Sequence, residues 1–321
     1  MQGDSASSAE PAKSATEKLL SDGVVAIVGE VASGNTIQIA KAAFPKAVPV
    51  VAVGATKTTL TEEGNHVVRV CYTDDLQGPV MAKFAFEQLN LKKIGLVTDN
   101  KAPYSQGLSK SFSDYFKKLG GEIVGEVTYE TGQTDFKGII TEMKAKAPDG
   151  LLLSGYFPEV GPLAQEIRAQ GMKVADVKLL GGDGWDSPQL LVSGGDAILG
   201  SFMCNHYNNK EERPVVGEFL TKFKKANGGK EPQTTMAALG YDATKLLLDA
   251  IKRAGKDSDS KAIITALNDT VGFEGVSGTI TLKDKNGNPD KRALVVEVKS
   301  QAEGFQVFAK AYEASEILNI K

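Results

Sequence analysis

Short apolar runs return along this chain at spacings that leave room for one helix between each pair, and that alternation limits the fold more than any other feature. An apolar-periodic stretch opened by Ser8, Glu10 and Pro11 closes at Asp22-Gly23, just before the run Val24-Val25-Ala26-Ile27-Val28. The same step predicts a helix from Ser33 to Phe44 followed by Val48 to Val53, and one from Leu76 to Leu89 followed by Ile94 to Val97. It continues with helix Tyr104 to Leu119 and strand Glu122 to Tyr129, then helix Asp135 to Lys146 and strand Gly150 to Ser154. Glu159 to Gln170 leads to Val177 to Leu180, a short helix after Pro188 leads to Ile198 to Met203, and helices dominate from Val215 to Leu267. Strands separated by helices of about ten to fifteen residues pair in parallel and are covered on both faces. Gly278 to Leu282, Leu294 to Val298 and Gly304 to Lys310, with the turn Asn286-Gly287-Asn288, predict shorter antiparallel pieces.

A chain of 321 residues exceeds one ordinary core, so two lobes are expected. Turn-rich stretches at Tyr72 to Gly78, Tyr207 to Pro214 and Asp284 to Pro289 separate the blocks of pattern. They predict a first lobe from residues 1–74 and 208–284, and a second from 75–207 and 285–321, joined by three crossings that form a hinge. The fold class is α/β, with two doubly wound parallel-sheet lobes.

Charge and motif content narrow the function. With 37 basic against 40 acidic residues, a net charge of −3 and no basic run, a strongly basic nucleic-acid surface is not expected. The apolar runs fall far below the roughly 18 residues of a membrane-spanning helix. Met1 opens no charged-then-apolar leader, which leaves a cytoplasmic chain and a secreted chain with its signal removed both open. Cys71 and Cys204 lack CxxC spacing and form no zinc pattern with His66 and His206; buried thiols are expected, with one long-range disulfide as the alternative. The loops GxGxxG, GxxxxGK[ST] and GxSxG are missing, so neither a cofactor nor a hydrolase nucleophile is predicted.

Ligands of open α/β sheets sit beyond the carboxyl ends of strands, which makes the residues after each apolar run the site candidates. Ser33-Gly34 opening a helix suits a carboxylate or phosphate, although Ser in this place more often serves as a plain N-cap. Gly54, Ala55 and Thr56 offer donors and acceptors at a second strand end, or simply a turn. Asp183 among glycines fits a counter-charge for a cation, or an Asp bonded to its own backbone. Tyr104, Tyr156 and Trp185 can wall an apolar side chain, or pack in the core. Anion donors on one lobe, with an acid and aromatics on the other, describe a receptor for an α-amino acid. His66 and His206 read as structural residues.

These residues carry a resemblance. Val24 to Gly29 with Ala32-Ser33-Gly34, then Gly54-Ala55-Thr56 with Leu60-Thr61, are similar to the first-lobe ligand loops of the branched-chain amino acid binding proteins of ABC importers, the type I periplasmic binding fold. Tyr104-Ser105-Gln106-Gly107, Gln133-Thr134-Asp135-Phe136, Gly155 to Glu159, Gly182 to Asp186 and Gly240-Tyr241-Asp242-Ala243 resemble its later motifs. The resemblance implies that Ser33 and Thr56 hold a ligand carboxylate through hydroxyl and backbone N–H groups, with Gly54 and Ala55 adding backbone contacts to either ligand end. Asp183 would then pair with the ammonium, and Tyr104, Tyr156 and Trp185 would close over the ligand. Where some relatives carry a further aromatic, this chain has Met236, which softens the side-chain pocket. The family begins with a strand, a helix and a second strand; this chain starts at Gln2-Gly3-Asp4, so about fifty residues, one such unit, are expected to be absent and the first lobe incomplete. Asn319-Ile320-Lys321 is a candidate strand start.

The implied function is capture of leucine, isoleucine or valine by hinge closure and delivery to ABC permease subunits, by a monomer without cofactor or metal. The implied location is periplasmic or extracellular, with a lipid anchor as one means of staying there. A sensory or regulatory module of the same fold, and an enzyme on doubly wound domains, are the alternatives.

Overall fold

The computed structural model describes residues 1–255, 259–303 and 305–318; Gly304 and the candidate strand start Asn319-Ile320-Lys321 lie outside them. The chain opens with helix α1 (Ala9–Ser21), strand β1 (Ile27–Val28), helix α2 (Ser33–Ala43) and strands β2 (Val50–Ala52) and β3 (Val67–Arg69). Next come α3 (Asp74–Glu87), β4 (Lys93–Asp99), α4 (Pro103–Lys118), β5 (Glu122–Tyr129), α5 (Lys137–Ala145), β6 (Gly150–Ser154) and α6 (Phe157–Ala169). They are followed by β7 (Lys178–Gly181), α7 (Gln189–Gly194) and β8 (Phe202–Asn205), and then by α8 (Pro214–Ala226), α9 (Met236–Ala254) and α10 (Ser260–Asn268). Strands β9 (Phe273–Gly275), β10 (Gly278–Ile280), β11 (Ala293–Val298) and β12 (Gln306–Tyr312) and helix α11 (Ala314–Leu318) complete it.

Two compact units result, residues 1–73 with 209–291 and residues 74–208 with 292–321. The third passage lies at Lys291/Arg292, beyond the 284/285 expected. The turn that suggested the earlier boundary is tied into the first unit: Arg69 N donates to Gly287 O at 3.0 Å, and Asn288 Nδ2 to Thr61 Oγ1 at 2.9 Å.

In the first unit β1, β2 and β3 pair in parallel in that order. Alternation sorts their side chains between two cores. Val51, Val53, Val68 and Val70 pack with Leu239, Ala243, Leu246 and Ile263 of α9 and α10, whereas Val50, Ala52 and Val67 pack with Ala12, Ile39 and Ala40 of α1 and α2. Helices thus cover both faces of a sheet whose strands are apolar except for Arg69 at the end of β3. The hairpin β9–β10 is fastened separately: Asp242 on α9 accepts from Val276 N, Ser277 N and Ser277 Oγ at 2.6–2.8 Å, and buried Lys291 donates to Ser277 Oγ at 2.9 Å. Asp242 of the Gly240-Tyr241-Asp242 motif therefore serves structure.

The second unit has a seven-stranded sheet in the order β12-β11-β8-β7-β6-β4-β5. Strands β4 to β8 are parallel; β11 is antiparallel to both β8 and β12, as expected for the tail. Leu151 and Leu153 of β6 join the core with Ile140, Met143, Leu163 and Ile167 of α5 and α6. Leu152 between them is equally buried and turns to the other face. No helix among the described residues is long and apolar enough to cross a membrane. Both cysteines are buried and neither is in a disulfide, so the disulfide alternative falls away.

Close packing at Gly181, the last residue of β7, is testable. A Cβ there would lie 2.1–2.5 Å from the indole of Trp185, a rigid ring inside the core. Gly181→Ala should lower unfolding free energy by about 1–3 kcal/mol through overpacking, read as a lower urea midpoint; an unchanged midpoint would show that the ring does not fill that space.

Candidate functional site

The strand-end residues form two groups, one in each unit. In the first unit Ser33 is the first residue of α2, and its hydroxyl does not cap that helix. Instead Ser33 Oγ accepts from Lys57 N at 3.1 Å, across 24 residues of sequence. An oxygen that accepts there keeps its own proton to donate, which is what an anion requires. The plain N-cap reading is thereby set aside for this side chain.

The partner loop leaves β2. Gly54 N donates to Glu30 O at 3.2 Å, and a Cβ on Gly54 would meet Met236 Sδ at 3.0 Å and Val31 Cγ1 at 3.2 Å, so glycine lets three segments close together. Ala55 and Thr56 follow, both buried. Beneath them lies Arg69, fully buried, whose guanidinium donates to Ala55 O at 2.7 Å, Lys57 O at 2.9 Å and Thr58 O at 3.3 Å. Cys71 Sγ donates to the same Ala55 oxygen at 3.4 Å. Ser33, Gly54, Ala55 and Thr56 thus meet around one loop, held from below by a cation that sequence reading passed over.

In the second unit Tyr104, in the first turn of α4, and Tyr156, just before α6, bring their rings to 5.0 Å between centroids at 32°. Tyr104 Oη accepts from Gly184 N at 3.0 Å. Burial, and next the nearby Asp183 carboxylate, push the Tyr104 phenol well above its ordinary range, so it keeps its proton at neutral pH. The glycines around this pad are sterically required. A Cβ on Gly182 would lie 2.5 Å from Tyr104 Oη, one on Gly184 2.9 Å from Gly155 O, and one on Gly155 1.8 Å from Tyr129 Oη.

Asp183 opens the short 3-10 turn that follows β7. Its backbone N donates to Gln77 Oε1 at 3.2 Å, and its Oδ2 lies 2.9 Å from His206 Nε2, with both side chains buried. Its charge also raises the neighbouring Cys204 thiol, after burial itself. His206, expected to serve structure, lies against the Asp183 carboxylate, one of the candidate site residues. Nothing in the local sequence linked them, since β8 brings His206 across 23 residues. Trp185 is placed differently from Tyr104 and Tyr156. It belongs to the core with Leu153, Val160 and Leu190, and its indole N–H donates to Leu153 O at 3.1 Å. It supports the turn carrying Asp183 from beneath. His66 keeps a structural place, with Nε2 against Ala40 O at 2.9 Å. Among the described residues no cluster of metal-ligating side chains occurs.

The arrangement offers hydroxyl and backbone donors in one unit, and a carboxylate with aromatic walls in the other. The periplasmic binding protein family profile matches residues 1–303. A Leu/Ile/Val-binding protein homolog 1 from Brucella melitensis is 30% identical over 294 residues, 89% of this chain and 75% of that protein. A leucine binding protein from Thermotoga maritima superposes with a TM-score of 0.91 at 35% identity, covering 98% of this chain and 87% of that one. The branched-chain amino acid transporter substrate binding protein of Streptococcus pneumoniae, in complex with isoleucine, gives 0.86 at 28% identity over 98% and 86%. These relatives are binding proteins, not enzymes.

The Asp183–His206 contact predicts a stability effect. His206→Ala withdraws a hydrogen bond from a buried carboxylate and should lower unfolding free energy by about 1.5–3 kcal/mol in a urea titration followed by circular dichroism; a midpoint equal to that of the unaltered chain would show that the contact contributes nothing.

Proposed function

We propose that this chain, which belongs to the periplasmic binding protein family, captures an aliphatic α-amino acid outside the cytoplasmic membrane and delivers it to the membrane subunits of an ABC permease. The observation that carries the ligand class is the opposite polarity of the two groups of residues. Ser33 Oγ has a proton to donate, beside a loop whose carbonyls are turned onto Arg69; Asp183 offers a carboxylate between a tyrosine pair and an imidazole. An α-carboxylate suits the first group, with Thr56, Ala55 and Gly54 completing it, and an α-ammonium suits Asp183. Tyr104 and Tyr156 supply the flat apolar surface that an aliphatic side chain fills.

The mechanism we infer is hinge closure through the three chain passages. A ligand held by groups from both units binds more tightly to the arrangement in which both reach it, and shifts the population toward that arrangement by the difference in affinity. No bond is made or broken. A permease can then recognise the loaded form by its shape.

Calorimetry against leucine, isoleucine, valine, alanine and phenylalanine tests this, with circular dichroism to establish folding. At least one aliphatic amino acid should bind, and Asp183→Ala should weaken it by about 2–5 kcal/mol, the effect of removing one member of a buried charge pair. 4-Hydroxybenzoate, the ligand of a solute binding protein from R. palustris that shares the fold at 22% identity, has no ammonium and should bind far more weakly. A folded chain that ignores all five amino acids, or prefers the benzoate, overturns the ligand class.

A further inference from the structure

Arg69 is a full positive charge set under a loop that we read as an anion site, and its bonds have a common direction. At the end of β3 its backbone is fixed by the sheet and by Arg69 N donating to Gly287 O at 3.0 Å. Its side chain is buried, and the fork of its guanidinium reaches three carbonyl oxygens of one loop: Ala55 through Nη1, Lys57 and Thr58 through Nη2. In a trans peptide the C=O and N–H point in opposite directions. The carbonyl of Ala55 shares its peptide plane with the N–H of Thr56, and that of Lys57 with the N–H of Thr58. With these oxygens drawn onto Arg69, the two N–H groups point away from it. Lys57 N, between them, is aimed at Ser33 Oγ.

We propose that Arg69 is the positioning residue of the carboxylate-binding group: it clamps the 55–58 loop through three carbonyls and polarises the Ala55–Thr56 peptide, so that Thr56 N–H becomes a stronger donor to an anionic ligand end. This deepens the amino-acid reading above and rests on it. Two physical effects combine. Hydrogen bonds to an ionised group are roughly twice as strong as neutral ones, and a polarised chain of hydrogen bonds strengthens each member. A positive charge inside a low-dielectric interior also acts on a nearby anion more strongly than the same charge would in water. The position discriminates by ligand charge, because a neutral amide in place of the carboxylate gains little from either effect. Lysine could not reproduce the geometry, since a single ammonium lacks the planar fork that spans carbonyls two and three residues apart.

The test compares leucine with leucinamide, which keeps the side chain and the ammonium but has no carboxylate, on the full chain. For Arg69→Met the affinity for leucine should fall about 10- to 100-fold, the loss of one charge-assisted interaction, while that for leucinamide changes about threefold or less. Arg69→Lys keeps the charge without the fork and should lose about tenfold of the leucine-to-leucinamide ratio; it decides the matter if the Met variant does not fold by circular dichroism. A purely structural role moves both affinities by the same factor. An unchanged ratio in a folded variant therefore overturns the inference and leaves the amino-acid reading standing, whereas failure of the unaltered chain to bind any amino acid overturns both.

Discussion

The parallel pairing of β4 with β6, in register from Ile94 opposite Gly150 to Thr98 opposite Ser154, brings together at the carboxyl ends of the strands the segments on which the chemistry proposed for the second unit depends. Parallel strands cannot be joined by a tight turn, so each must return through a helix, and each helix must leave from the carboxyl end of its strand. α4 departs just after β4 and carries Tyr104; Gly155-Tyr156 departs just after β6; Asp183 departs just after β7. Three side chains far apart in sequence become neighbours because their strands are neighbours. Ser154 Oγ donating to Ser105 O at 2.8 Å ties two of these exits directly.

Space at these strand ends is limited, and glycine is the means of sharing it. Gly155, Gly181, Gly182 and Gly184 each face a ring, a phenol oxygen or backbone at distances that no Cβ tolerates. Their role is close approach rather than unusual backbone angles, since none of the four has a positive φ. Polar groups there meet one another: Tyr104 with Gly184 N, Trp185 with Leu153 O, Asp183 with His206 and Gln77.

Buried charge is organised differently in the two units. In the first, a cation sits behind the loop and turns backbone carbonyls toward itself, while Asp242 and Lys291 fasten the hairpin through Ser277. In the second, the anion itself lies on the strand end with an imidazole beside it. The difference matches the chemistry assigned to each group, since an anion is held well by backbone N–H donors, whereas a cation needs a formal negative charge or several carbonyls.

Much of this was legible in the sequence because it depends on local pattern. The alternation of apolar runs with helical periodicity determined the parallel α/β units and most strand positions, and the family follows from motifs spread over the whole chain. The antiparallel tail was also readable, from its short apolar pieces Leu294 to Val298 and Gly304 to Lys310, whereas the turn at Asn286-Gly287-Asn288 belongs to the first unit. The short strand β9 and the third passage between units were not, because they are decided by Asp242 gripping residues 276 and 277 and by Arg69 and Thr61 holding residues 287 and 288. Tyr104, Tyr156 and Trp185 share one residue chemistry, and only packing separated the paired tyrosines from a tryptophan in the core. Arg69 and His206 carry no local signature of their roles. What the sequence by itself determined was where most strands and helices fall, since that depends on neighbours along the chain; which charges meet which polar groups was decided only by the tertiary structure, because those distances exist only once the strands have paired.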